Sequence, residues 1–202
     1  VRLLIWRYGQ SRGLWHTVLS AGPVLVLCCA FAPRTIPVLL GEHDQRLRLP
    51  AVIGLLGVIA LGPSFARGLS EAEWVYRRSL RAARVAHLAI AVVLVAAVAI
   101  AVAGTLRPGK LGTEVFLNGL ALLGVCLITV VVTPLPPWVA ALVLVATTYV
   151  VGSDPDTGRP YAWAWLLWTD RTGWKATIDL TLFTTATALF LYRPGRVAAL
   201  GD

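Results

Sequence analysis

Apolar residues run through this chain in long blocks, and the charged residues gather mainly in the short connections between them. A bilayer core about 30 Å thick asks for roughly 20 apolar residues per helix, and blocks of that kind recur along almost the whole sequence. Six spanning helices are predicted, over about 15–32, 49–66, 83–103, 114–132, 138–151 and 177–192. Pro33 closes the first, because proline cannot donate to the helical ladder. The run Thr133-Pro134-Leu135-Pro136-Pro137 is too short and proline-rich to be helical and separates the fourth span from the fifth. The expected fold class is all-α, a single polytopic membrane domain over 15–202.

Three segments are too polar to span. In residues 1–14, Arg2, Arg7 and Arg12 alternate with Leu3, Leu4, Ile5, Trp6 and Tyr8, the mixture of an amphipathic helix lying in the membrane interface. A signal peptide cut near Ala30-Phe31-Ala32 is the competing reading. Residues 67–84 hold the second. Ser70-Glu71-Ala72-Glu73 reads as a capping box, in which each end residue satisfies the other's free backbone N–H. A helix that starts there continues through Trp74, Tyr76, Arg77, Arg78, Arg81 and Arg84 into the third span. Its basic, aromatic surface suits either a docking partner or lipid phosphates. In the third, residues 153–176, the turn Asp154-Pro155-Asp156-Thr157-Gly158 precedes Tyr161 and four tryptophans. Trp163, Trp165, Trp168 and Trp174 are the candidate contacts for lipid or an amphipathic substrate, in an aromatic belt or a short re-entrant helix.

Composition agrees with the pattern. The chain is 57% hydrophobic and 14% charged over 202 residues, with mean hydropathy +0.75, more apolar surface than a soluble core of this size can hide. A formal charge of +8 would suggest nucleic acid in a soluble protein. Here the arginines sit between apolar blocks, where cytoplasmic loops use them, so no nucleic-acid partner is expected. The arginine-rich connection 67–84 goes to the cytoplasm by the positive-inside rule, and both termini follow it. The expected location is the plasma membrane, and the Ala, Val, Leu, Gly and Arg bias points to a high-GC bacterium.

Candidate chemistry is sparse. Cys28, Cys29 and Cys126 lie inside apolar blocks and read as core-filling thiols. Gly104 to Lys110 matches the spacing of a phosphate-binding loop, but Leu111 stands where a hydroxyl must reach magnesium. His16 and His87 raise haem ligation as a minor alternative. Glu114 and Asp179 are placed at helix ends within reach of water, which argues against a deep proton relay. Asn118, Thr129 and the threonines at 181, 184, 185 and 187 suit hydrogen bonds between helices, and Gly54, Gly57 and Gly62 suit close packing. No catalytic residue, metal ligand or cofactor site is expected, and the chain is not read as an enzyme.

The order of these segments resembles the transmembrane subunit of type-2 ABC exporters. The resemblance is one of layout: the amphipathic 1–14, the charged helix over 70–84 between the second and third spans, and the aromatic 161–174 before the last. It implies a permease that forms the translocation path, with ATP and magnesium bound in a separate ATP-binding cassette subunit and a second permease copy or homologue completing a dimer. It also implies a coupling helix docking through Glu71, Glu73, Trp74, Arg77, Arg78 and Arg81. The alternative is a non-transporting scaffold subunit of a larger membrane assembly.

Overall fold

The computed structural model describes residues 36–37, 46–47, 55–59, 61, 65, 77–105, 111–133, 135–154, 157, 159–167 and 172–192. The predicted helix over 1–14, the first span, the capping box with Glu71, Glu73 and Trp74, and Trp168 lie outside them. Helix dominates what is described. Four long helices follow in order: α1 (Arg77–Thr105), α2 (Leu111–Val132), α3 (Pro137–Val151) and α4 (Thr172–Tyr192). A 3-10 turn at Trp165–Leu167 lies between α3 and α4. Within the predicted polar loop at 34–48, Ile36–Pro37 pairs antiparallel with Arg46–Leu47, a two-residue ladder that the all-α expectation did not contain.

Among the described residues two helices, not six, are long and apolar enough to cross a membrane: Arg84–Gly104 and Gly112–Val132. The shortfall has local causes. The fifth predicted span is the 15-residue α3, about 22 Å at 1.5 Å per residue and so short of the hydrocarbon thickness. The sixth, α4, has the length but carries Lys175 and Asp179 in its first half. Of the second, only residues 55–59, 61 and 65 are described, all helical.

Proline sets the break between α2 and α3. Pro137 occupies the first turn of α3, where its missing N–H would have no partner anyway. The end of α2 is closed by Thr133, whose N–H and hydroxyl both donate to the Thr129 carbonyl, at 2.8 and 3.1 Å. Across the turn, the Cys126 thiol donates to the Pro137 carbonyl at 3.1 Å, and Cys126 is fully buried as a core-filling thiol should be.

α2 is the central helix, packed against α4, α1 and α3. Its apolar window is 67% buried against 39% for α1, so α1 keeps most of its surface for other neighbours. Glycine makes the close approaches. A Cβ at Gly112 would lie 2.8 Å from the Ala103 Cβ, one at Gly119 2.6 Å from Val95 Cγ1, and one at Gly124 3.2 Å from Phe183 Cα. Gly57, by contrast, has open space around it, so the expected packing role falls on α2 instead. The Gly112 and Gly119 contacts make α1 and α2 an antiparallel hairpin, and α4 ends beside the start of α1 through Arg84 and Phe190. Leu122, Leu123, Leu127, Val58 and Phe65 fill the interior.

Candidate functional site

Two clusters of buried polar groups stand out, one at each end of α4. The first lies under residues 152–167, which fold back over the end of the bundle as a cap. Asp154 N–H donates to the Arg159 carbonyl at 2.9 Å and Tyr161 N–H to the Gly152 carbonyl at 2.8 Å, closing a hairpin around the turn expected at 154–158. The Thr157 hydroxyl fastens it to Asp154 Oδ2 at 2.7 Å. From there Ala164 and Leu167 donate to the Tyr161 and Ala164 carbonyls, winding the 3-10 turn and turning Ala164 and Leu166 inward.

Two α4 side chains meet this cap. Trp165 Nε1–H donates to Asp179 Oδ1 at 2.9 Å, and Lys175 Nζ donates to the Leu166 carbonyl at 3.2 Å. Asp179 is 0% exposed and Lys175 2%. The expectation that water reaches Asp179 is therefore corrected: the fold-back of the cap, invisible to a hydropathy average, covers the first half of α4. Removing one partner of such a buried hydrogen bond costs roughly 1–3 kcal/mol. Asp179 Oδ2 and Asn118 Oδ1 are buried with no hydrogen-bond partner among the described residues.

The aromatic residues divide accordingly. Tyr161 and Trp163 are exposed and stack on one another with centroids 6.5 Å apart, and Trp174 is also exposed, as lipid-facing or ligand-facing residues would be. Trp165 is turned inward to Asp179 and so leaves the set of lipid or substrate contacts. The lysine and aspartate four residues apart in an apolar helix were the available signal for this cluster, since such a pair shares one helix face.

Gly152 joins α3 to the cap at a close approach: a Cβ there would press on the Thr148 carbonyl and lie 2.9 Å from the Ala164 Cβ. Gly152→Ala is expected to push the cap outward, at about 1–3 kcal/mol for overpacking. The check is hydrogen exchange at the Ala164 and Leu167 amides, which should quicken about tenfold while α2 amides stay protected.

The second cluster is at the other end. Arg84, grouped by its sequence position with the basic docking surface, is 8% exposed; its Nη1 donates to the Phe190 carbonyl at 3.1 Å and its guanidinium lies 5.4 Å from the Phe190 ring centroid. Phe190 meets Phe65 edge-on at 5.9 Å, and Phe65 stacks face to face on His87 at 4.2 Å. His87 is 2% exposed among these side chains, a packing environment rather than an open cleft. Arg77, Arg78 and Arg81 lie on the part of α1 that precedes its apolar window.

The expected bonds between helices from threonine are mostly bonds within a helix. Thr129 donates to Val125, Thr177 to Gly173 and Thr184 to Leu180, each to the carbonyl four residues back. A short hydroxyl reaches its own helix more readily than a neighbour's. No protein-family model, no curated protein and no solved structure matches the chain.

Proposed function

We propose that the chain is a membrane-embedded permease subunit of an ABC-type exporter, driven by a separate ATP-binding subunit. The observation that carries this reading is the continuity of α1. The helix begins at Arg77 and its apolar window begins at Arg84, so two unbroken turns precede the lipid-compatible part. A helix is stiff over that length, and a force applied at Arg77 and Arg78 tilts the whole rod instead of being lost in a loop. Arg84 supports the reading further, because it ties the base of that lever to the end of α4. A transporter whose energy comes from a partner needs a rigid element of this kind to receive it.

In this reading the start of α1 faces the cytoplasm and the cap over 152–167 faces outward. The test is purification of the tagged chain from native membranes, followed by an assay of Mg-ATP hydrolysis in the eluate. The wild type is expected to bring an ATPase with it, and Arg77→Glu with Arg78→Glu to lose it about tenfold or more, since opposed charges across a docking surface cost several kcal/mol. An ATPase retained at full level by the double reversal rejects the docking surface. Stable protein partners without any ATP hydrolysis favour the scaffold role instead.

A further inference from the structure

We propose that residues 152–167 are a releasable cap, latched by Asp179 and Lys175 and poised to uncover those two side chains. The proposal holds whether or not the chain is a permease. The cap's backbone hydrogen bonds close on the cap itself, through Asp154 with Arg159, Tyr161 with Gly152, and Ala164 with Tyr161. It can therefore move as one piece without breaking its own structure. Its hold on α4 includes two side-chain bonds, Trp165 to Asp179 and Lys175 to the Leu166 carbonyl.

Closure leaves one group poorly served. Asp179 is 0% exposed, and its Oδ2 has no hydrogen-bond partner among the described residues. A buried carboxyl oxygen without a donor raises the free energy of the closed arrangement. Opening admits water, or the donor group of a small polar ligand, to that oxygen. The closed state is stabilised in turn by Ala164 and Leu166, which are buried when the cap is down. Opposed terms of this kind, an unsatisfied polar atom against buried apolar surface, keep the two arrangements close in free energy. The outer face of the cap needs no rearrangement on opening, because Tyr161 and Trp163 are already exposed and pack on each other.

The experiment uses the full chain in lipid nanodiscs with Cys28, Cys29 and Cys126 replaced by alanine and Leu166→Cys as reporter. A membrane-impermeant maleimide is the probe, and its rate of reaction is the readout. The parent is expected to react slowly compared with Thr157→Cys on the exposed turn. Trp165→Phe and Lys175→Met are each expected to raise the rate about tenfold or more. Asp179→Asn, which keeps an acceptor for the indole N–H, is expected to stay within about threefold of the parent. Circular dichroism and gel filtration establish that each variant is folded, and Lys175→Met carries the test alone if Trp165→Phe aggregates. A parent rate equal to that of Thr157→Cys, or a Lys175→Met rate within about threefold of the parent, overturns the latch.

Discussion

Gly124→Leu is expected to lower the unfolding stability of the purified protein by about 3 kcal/mol or more and to separate α2 from α4. The argument rests on what the new side chain would meet. A Cβ at Gly124 comes 3.2 Å from Phe183 Cα, 3.3 Å from Phe183 N and 3.4 Å from the Leu182 carbonyl carbon. These are backbone atoms, which cannot rotate aside, so the helices themselves must move. Gly124→Ala is a different case. Alanine recovers about 1 kcal/mol of helix propensity over glycine, close to the cost of a shift of a few tenths of an ångström, and the net change should stay within about 1 kcal/mol. Gly104→Ala, with nothing within 4 Å of its Cβ, serves as control and should be neutral or slightly stabilising. Denaturant titrations of all three in mixed micelles give the ordering, and a Gly124→Leu protein as stable as the wild type would mean that α2 and α4 are not packed as described.

Arg84→Ala has the next largest expected effect, a loss of about 2 kcal/mol. Two contacts disappear: a charge-assisted hydrogen bond to the Phe190 carbonyl, worth roughly 1.5–3 kcal/mol, and a cation–π contact of roughly 0.5–2 kcal/mol. Against them stands relief from holding a guanidinium out of water, which makes the net loss smaller than their sum. Lysine keeps the charge, but a single ammonium cannot both reach the carbonyl and lie flat on the Phe190 ring, so Arg84→Lys should recover only part of the stability. Phe190→Leu leaves the carbonyl in place and removes the ring. A double-mutant cycle between Arg84→Ala and Phe190→Leu isolates the ring contact, and a coupling indistinguishable from zero would remove it from the account.

The positions of the long helices were legible because hydropathy and proline are local signals. Expected spans at 83–103, 114–132 and 138–151 became α1, α2 and α3 with ends shifted by a few residues, and the turn at 154–158 closes the hairpin of the cap. Side-chain surroundings were far less legible. Arg84, Lys175 and Asp179 looked like groups near water, yet Phe190 covers one and the cap the other two. A run of residue types reports how greasy a helix is, not which neighbour folds back over it. The glycines of α2 left a fainter trace, since Gly112 and Gly119 are seven apart and so share a face. Recognising that spacing would have placed the close helix contact on α2 rather than at Gly57.

The central place of α2 bears on how the chain is made. Its largest neighbour, α4, is the last of the described helices to be synthesised. At the usual pace of translation the interval between finishing α2 and finishing α4 is roughly 3–12 s. Throughout it the face around Gly124 meets acyl chains or a membrane chaperone in place of Phe183. The nascent protein thus passes through a half-built stage whose exposed groove is the seam that α4 later closes.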